Sequence, residues 1–231
     1  MSSSVDLSLS FITLHWLQND EKDDQKYLML PSPQVMVHEA RVPQFVIDDW
    51  ANRAHNDLVQ FLSHRSVELS VGGAGIYLST GGGGTHETAL PCDWDILPNS
   101  ISDNSLPTLA ISRMIGDGLL SEDKLYLAMV GLYRRAPADI ERAVEAVPHL
   151  DLLNIEERRL TVGKGSLTGF DLFWAIHAPS LSSSMDLTPS QTSSLRSYCQ
   201  DVFCEHLLDK NGSMIPYLSF HVQKKEMTGV S

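Results

Sequence analysis

The sequence predicts an α+β fold, with a mostly antiparallel sheet, packed helices, and a single domain that carries an N-terminal β arm. Three observations predict it. Apolar residues alternate with polar ones, at period two, near both ends of the chain and in its middle. Stretches with helical spacing lie between these segments. The predicted strands fall in local groups, whereas a βαβ protein would alternate strands and helices regularly.

The first predicted strand begins close to the N-terminus. Over residues 5–17 the apolar positions Val5, Leu7, Leu9 and Phe11 alternate with polar ones. A charged turn at 19–24 and a second strand at 27–30 follow. We therefore predict an N-terminal β arm at 1–42, an α+β core domain at 43–223 and a polar tail at 224–231.

Helical spacing recurs in five stretches of the chain. Proline is favoured at the first helical position, and Pro43 and Pro137 each precede an apolar stripe. The segment Thr188-Pro189-Ser190-Gln191 has the pattern of a capping box. The predicted helices cover 43–64, 106–115, 121–135, the stretch from Pro137 to Val147, and the stretch after Thr188.

The remaining apolar runs predict strands and one long connection. Short runs at 67–71 and 76–78, separated by glycines, predict a bent or bulged strand pair. Residues 150–176 predict a β-hairpin that turns at 163–165. A last strand is expected at 217–222. Glycines and prolines predict a flexible loop at 81–84 and a long connection at 85–105.

The charge balance excludes a generally basic surface. The formal net charge is −12, from 29 acidic and 17 basic residues. Residues 1–100 carry 13 acids and 5 bases, and residues 101–231 carry 16 acids and 12 bases. A general polyanion-binding surface is therefore excluded, although a local basic patch is not. Three basic pairs are candidates for such a patch, and they are Arg134-Arg135, Arg158-Arg159 and Lys224-Lys225.

Targeting signals and cysteine usage predict a reducing compartment. The N-terminus has no basic region followed by an apolar run, and nowhere do 18 apolar residues follow one another. The three cysteines, Cys92, Cys199 and Cys204, are too few for a disulfide framework. We therefore expect a cytoplasmic protein, with the virion as the other possible location.

No motif for catalysis or cofactor binding withstands inspection. Gly163-Lys164-Gly165-Ser166 has Arg158 where a phosphate loop needs a glycine. The pair His86-Glu87 lacks a second histidine at metal spacing. Ser121 and Lys124 have acyl-enzyme spacing, but a helix cap explains the serine. The sequence therefore predicts no catalytic residue, no cofactor and no metal.

Contact residues are predicted in place of catalytic ones. They are the three basic pairs, the glycines of the predicted loop and one tryptophan in the long connection. By number they are Arg134, Arg135, Arg158, Arg159, Lys224, Lys225, Gly81, Gly82, Gly83, Gly84 and Trp94. The acidic turn at 19–24 is a further candidate contact.

From about Lys164 onward the chain resembles the C-terminal part of rhabdovirus-type matrix proteins. The features that carry the resemblance are a Lys-Gly turn into 166–176, a polar linker, a helix around 195–208, a turn at 209–213 and a closing strand. The resemblance implies a non-enzymatic protein that self-associates, condenses a nucleocapsid and contacts a membrane. Two features differ from these proteins. The N-terminus is acidic and alternates apolar with polar residues, and the sequence has no Pro-Thr-Ala-Pro or Pro-Pro-x-Tyr budding motif.

Three functions follow as expectations. The first is a non-catalytic, self-associating structural protein of viral matrix type, which forms a homo-oligomer and possibly binds a nucleoprotein or a host protein. It would make no sequence-specific contact with nucleic acid, and peripheral membrane contact stays open. The second is a small intracellular enzyme whose site forms from distant residues under the glycine-rich loop. The third is a viral suppressor that binds a host protein through an acidic face.

Overall fold

The computed structural model describes residues 4–11, 14, 44–81, 106–128, 133–162, 167–208 and 213–226. The helices and strands follow one another in the order β1 (Val5–Phe11), α1 (Gln44–Glu68), β2 (Leu69–Thr80), α2 (Leu106–Gly116), α3 (Asp123–Leu127), α4 (Pro137–Glu145), β3 (Leu150–Val162), α5 (Thr168–Ser184), α6 (Pro189–His206) and β4 (Ser213–Lys224).

The described strands form one mixed sheet of four in the order β1-β2-β4-β3. β1 pairs with β2 in parallel, and β4 pairs antiparallel with both β2 and β3. β1, β2 and β3 therefore run in the same direction, and their carboxyl ends lie at one edge of the sheet. The chain is thus a mixed α/β domain, which agrees with the prediction in general terms.

One face of the sheet packs against α1 and α4 around Tyr77. The Tyr77 ring lies 5.1 Å from the Phe61 ring and 5.4 Å from the Phe220 ring. A Cβ on Gly75 would lie 2.2 Å from the Tyr77 hydroxyl, so a glycine is needed beneath this ring. The sheet cluster comprises Leu58, Leu62, Leu69, Tyr77, Ile140, Ala143, Val144, Val147, Leu150, Leu218, Phe220 and Val222.

A second apolar cluster belongs to the helices α2, α3, α5 and α6. Phe170 and Phe173 of α5 pack against Leu195 and Phe203 of α6. The helical cluster includes one strand residue, Ile215, at the start of β4. The domain therefore has two apolar cores, one under the sheet and one among the helices.

We expected the glycine-rich stretch before Tyr77 to separate two strands, but it does not. β2 runs without interruption from Leu69 to Thr80. Its pairing with β1 jumps from Val5–Leu69 to Leu7–Ala74, so the extra residues form a bulge. Gly72, at φ 79°, accounts for the glycine preference at this bulge. The prediction of two strands was wrong, but the predicted irregularity is present as this bulge.

The second strand of the predicted hairpin is also wrong, because residues 168–184 form helix α5. Phe170, Phe173, His177 and Leu181 are buried at helical spacing. Apolar side chains also occupy 172, 174 and 176, so the segment fits period two as well as period 3.6. Packing against α6 decides in favour of the helix. The first strand of that hairpin is confirmed as β3.

The other helix predictions are confirmed, except that α3 is shorter than the predicted 121–135 and that residues 129–132 lie outside the described residues. α1, α2, α4 and α6 begin and end close to the predicted positions, and the capping box at Thr188 is present. α3, however, ends at Leu127, and Arg135 is extended backbone paired with Gly81. The closing strand is confirmed as β4. The predictions at 19–24, 27–30, 82–105 and 163–165 lie outside the described residues.

Cys199 and Cys204 are free thiols. Cys199 is buried in the helical cluster, and burial raises the pKa of its thiol well above the usual range. A thiol of raised pKa is a poor nucleophile at neutral pH. Cys199 is therefore a packing residue.

A bidentate ion pair joins α2 to α6. The Arg113 guanidinium donates to both carboxylate oxygens of Glu205, at 2.7 Å and 2.6 Å. These hydrogen bonds hold the pKa of the Glu205 carboxyl below its usual value. Both side chains are partly exposed, so solvent screens the pair and its contribution to stability is small.

We expect Arg113→Ala to lower the free energy of unfolding by about 0.5 kcal/mol at pH 7. Because the folded-state pKa of Glu205 is depressed, this contribution is present above pH 4.5 and is lost as the pH falls through the folded-state pKa. Urea denaturation at pH 7 and pH 3 measures the difference. In a Glu205→Gln background the effect of Arg113→Ala should not change with pH. A pH-dependent effect that persists in that background contradicts the assignment.

Candidate functional site

The edge of the sheet where β1, β2 and β3 end is the natural place for a ligand site. In open α/β sheets, ligands bind outside the carboxyl ends of the strands. Here β1 ends at Phe11 and β2 ends at Thr80, and Gly81 continues from β2. We call this region the carboxyl edge, and we define its polar residues as His55, Thr80, Gly81, Tyr133, Arg135 and Asp139.

A close backbone contact between Gly81 and Arg135 forms the centre of the carboxyl edge. The two residues make a parallel β-bridge, and the Gly81 amide donates to the Pro216 carbonyl at 3.1 Å. A Cβ on Gly81 would lie 2.0 Å from the Arg135 carbonyl oxygen. Gly81 also has a φ of 142°, a conformation that favours glycine. A glycine is required here on both grounds.

The Arg135 side chain is buried, with 1% of its surface exposed. Its guanidinium donates to the Ala54 carbonyl at 2.9 Å and to the Leu14 carbonyl. Burial lowers its pKa to about 10, against the opposing effect of Asp139 and Asp57. The group therefore remains a cation at neutral pH. It ties the chain after β1 and helix α1 to residues 133–136, which precede α4 and pair with Gly81 through Arg135.

Tyr133 lies on the side of the carboxyl edge near α1 and α4. Burial, and secondarily the Asp139 carboxylate, raises the pKa of its hydroxyl, so the hydroxyl stays protonated. Asp139 accepts a hydrogen bond from the Ala136 amide at 2.9 Å and pairs with Arg142 at 3.6 Å. Burial lowers the pKa of His55, which favours a neutral imidazole at pH 7.

Thr80 lies on the opposite side of the sheet. Tyr77 faces α1, and side chains alternate along a strand, so Thr80 points to the other face. Thr80 is 8% exposed, and its Oγ1 is buried with no hydrogen-bond partner among the described residues. A buried hydroxyl without a partner is costly, and its position at a strand end suits a ligand that accepts a hydrogen bond.

The structure does not bring the predicted contact residues into one surface patch. Arg135 is buried, and Arg134 is 9% exposed. Arg158 binds Glu156 on β3, and Arg159 pairs with Pro216 in the register of β3 and β4. The last basic pair lies at the far end of the sheet, where Lys224 donates to Leu69 and Lys225 pairs with Asp151. Gly81 is in the carboxyl edge, whereas Gly82, Gly83, Gly84 and Trp94 lie outside the described residues. A binding role for these residues stays a prediction.

The described residues contain no group of three or more His, Cys, Asp or Glu side chains able to hold a metal ion. In the same part of the chain, no helix is both long and apolar enough to cross a membrane.

Comparison with known proteins identifies the family. Residues 1–216 match the family model described as "SAM dependent carboxyl methyltransferase". This chain therefore belongs to the S-adenosylmethionine-dependent carboxyl methyltransferase family.

Two relatives are similar to parts of the chain or to its fold. An O-methyltransferase, acrG, from Aspergillus aculeatus is 29% identical over 160 residues, which are 68% of this chain and 38% of that protein. The solved structure of a loganic acid methyltransferase with SAH has a TM-score of 0.64 and 14% identity, over 98% of this chain and 63% of that one. The chain thus spans less than two thirds of the length of each of these two proteins. The solved structure supports the fold of this chain.

The family corrects three expectations. The resemblance to rhabdovirus-type matrix proteins is wrong, because the family model covers most of the chain and the similar proteins are methyltransferases. The description as a viral structural protein and the expectation of a non-enzyme are wrong for the same reason. The second alternative, a small enzyme, agrees better with these findings. The features that suggested a matrix protein were the order and spacing of elements, and the strand 166–176 among them is helix α5.

The described part of the carboxyl edge does not fit the sulfonium and the ribose of S-adenosylmethionine. These two groups favour carboxylate or carbonyl neighbours at a strand end, whereas the cofactor's own carboxylate is an anion. Arg135 is a cation here. The Asp139 carboxylate already accepts a hydrogen bond from the Ala136 amide and forms an ion pair with Arg142. Hydroxyl donors and positive charge instead suit an anionic or hydrogen-bond-accepting ligand.

Sequence reasoning missed most of the carboxyl edge. It named Gly81 and Arg135, but as parts of a loop and a basic patch. It did not name Thr80, Tyr133, His55 or Asp139. The signal available was a Thr-Gly pair at the end of an apolar strand, which marks a strand end as a possible ligand site. Only the fold shows that Arg135 returns to this point.

We expect Gly81→Ala to destabilise the domain by about 3 kcal/mol or more, because the new Cβ overlaps the Arg135 carbonyl at a positive φ. Gly116→Ala is the matched control, since a Cβ there meets nothing within 4 Å. Urea denaturation measures both. Equal stability of the two variants would contradict the close contact at the carboxyl edge.

Proposed function

We propose that this chain provides the methyl-acceptor side of an S-adenosylmethionine-dependent O-methyltransferase whose acceptor is a carboxylate. The observation that carries the proposal is the unpartnered, buried Thr80 hydroxyl at the carboxyl end of β2, in a chain of the carboxyl methyltransferase family. The printed names of the similar proteins, an O-methyltransferase and a loganic acid methyltransferase, support an oxygen acceptor.

The electrostatics of the carboxyl edge favour an anion. Arg135 keeps its charge at pH 7, since its pKa is about 10. Its described hydrogen bonds go to carbonyl oxygens, and the nearby Asp139 and Asp57 carboxylates offset only part of its charge through space. The field of a buried cation is screened less than that of an exposed one. A carboxylate near Thr80 would accept a hydrogen bond from the hydroxyl within this field.

A carboxylate also explains why the site needs no general base. Carboxyl groups have pKa values near 4, so the acceptor oxygen is ionised and nucleophilic at neutral pH. Thr80 supplies a protonated hydroxyl that can orient and hold a carboxylate, and no proton has to leave the acceptor.

A hydroxyl acceptor is the second candidate, and His55 is the observation that favours it. A hydroxyl must lose its proton for transfer, which requires a base. The His55 Nδ1 is buried without a hydrogen-bond partner, and the lowered pKa leaves the imidazole neutral and able to accept a proton at pH 7. This candidate is favoured if the rate of methyl transfer falls as the pH drops through the His55 titration and if His55→Gln abolishes the transfer. Transfer that is flat from pH 6 to pH 8 favours the carboxylate.

We expect Thr80→Val to weaken the binding of a small carboxylic acid about 5- to 20-fold, the loss of one hydrogen bond in a buried site. Valine keeps the shape and removes the hydroxyl. Tyr133→Phe is the matched control, because Tyr133 lies on the other side of the sheet, and it should leave affinity within about twofold. Ligand-detected NMR titration of the 231-residue chain measures both affinities.

Methyl transfer itself is tested in a chimera in which this chain replaces the aligned portion of the Aspergillus relative. Labelled S-adenosylmethionine and a panel of carboxylic acids should give labelled methyl esters, with less product from the Thr80→Val chimera. A chimera that folds and binds the acids but labels only hydroxyl compounds contradicts the carboxylate assignment. Equal binding by the Thr80→Val and Tyr133→Phe chains contradicts the site.

A further inference from the structure

A row of three side chains crosses the sheet from the buried Thr80 to an exposed arginine. In the register of β2 and β4, Thr80 pairs with Tyr217, and Tyr217 pairs in turn with Arg158 of β3. Directly paired residues of antiparallel strands have their side chains on the same face of the sheet, so all three lie on the face opposite α1 and α4. We call these three residues the cross-strand row.

Solvent exposure increases along the cross-strand row. Thr80 is 8% exposed, Tyr217 is half-buried, and the Arg158 side chain is 60% exposed. Neighbouring strands lie about 4.8 Å apart, so the row is about 10 Å long from Thr80 to Arg158. Ile215, two residues before Tyr217 on the same face of β4, is buried in the helical cluster. The row therefore has an apolar neighbour along one side, a buried hydroxyl at one end and an exposed cation at the other.

Arg158 keeps hydrogen-bond donors for a ligand although it is already paired. A guanidinium has five N–H donors. Arg158 donates to one carboxylate oxygen of Glu156 from Nε, at 2.9 Å, and from one terminal nitrogen. Its other terminal nitrogen makes no hydrogen bond to the described residues. Glu156, and to a smaller extent Tyr217, raise the pKa of the guanidinium, so Arg158 is a cation at neutral pH.

We propose that the methyl acceptor lies along the cross-strand row, and that the preferred acceptor is an elongated acid with a second anionic group. The carboxylate that receives the methyl group accepts a hydrogen bond from Thr80. A flat apolar body packs against the Tyr217 ring, and the second anionic group reaches the Arg158 guanidinium. The inference rests on the proposed function, since it names the class of acid that the same site selects.

The geometry of the row favours an acid with two anionic groups over an acid with one. A monoacid of the same length would place its apolar end against the Arg158 guanidinium, and it would desolvate this cation without giving it a partner. An aromatic body suits Tyr217, because aromatic pairs add to the energy of apolar burial. The formal net charge of the chain is −12, so an exposed cation beside the site is a local exception that attracts an anion.

NMR titration of the 231-residue chain with two rigid acids tests the proposal. One probe is biphenyl with a single para carboxylate, and the other is biphenyl with a carboxylate at each para position, which spans the row. We expect the dicarboxylate to bind about fivefold more tightly, because its second group meets a partly exposed cation. Arg158→Gln should remove this preference and leave the affinity for the monoacid unchanged. Equal affinities for the two probes, or a preference that survives Arg158→Gln, would overturn the proposal.

Two further variants serve as controls. Arg196→Gln is the matched control for charge, because the Arg196 side chain is 50% exposed and pairs with Asp171 at 3.1 Å, outside the row, and it should leave the preference intact. Tyr217→Leu should weaken both probes about fivefold through the loss of an aromatic contact, whereas Tyr217→Phe keeps the ring and should leave both affinities nearly unchanged. Equal effects of Tyr217→Leu and Tyr217→Phe would contradict the packing of the acceptor on this ring.

The same titrations separate this inference from the proposed function. If Thr80→Val weakens both probes while the chain shows no preference for the dicarboxylate, the carboxylate site stands and the inference falls. If the chimera methylates only hydroxyl compounds, the proposed function falls, but a preference that depends on Arg158 would still show that an anionic ligand spans the row. Failure of both probes to bind would overturn both.

Discussion

The contact between Gly81 and Arg135 is the constraint on which the candidate site depends. A buried guanidinium needs hydrogen-bond partners for its donors, because an unpartnered buried charge is very costly. Arg135 finds them in the carbonyls of Leu14 and Ala54, which belong to the chain after β1 and to helix α1. Its own backbone can reach this position only because Gly81 has no Cβ. One residue thus fixes the relative positions of β1, α1, β2 and the start of α4.

The arrangement places a positive group under the carboxyl edge while the Thr80 hydroxyl remains available beside it. Thr80 is on the face of the sheet opposite α1 and α4, and Tyr133 is on the side of α1 and α4, so the two hydroxyls have different surroundings. The face that carries Thr80 is apolar at Leu7, Leu9 and Phe11, and the carboxyl edge at its end is polar and cationic. An acceptor with an apolar body and a carboxylate would match both.

The sequence predicted much of the fold and little of the site. Local signals were sufficient for α1, α4 and α6, since proline positions and a capping box define where these helices begin. They failed for α5, where apolar residues at nearly every position satisfy both periods, and contacts with α6 decide. They also failed for the parallel pairing of β1 with β2, because the partners are separated by more than sixty residues and α1. The site depends on that pairing and on the return of Arg135 to Gly81, which no local pattern encodes. The matrix-protein resemblance failed because element order is shared by unrelated folds.

The central claim is that the methyl acceptor binds at the carboxyl edge. Amide chemical-shift mapping of the labelled 231-residue chain during titration with a small carboxylic acid tests it most directly. The account predicts saturable shifts concentrated at residues 78–81 and 133–136. Shifts concentrated at the opposite end of the sheet, around His149 and Lys225, or within α5 and α6, would contradict it.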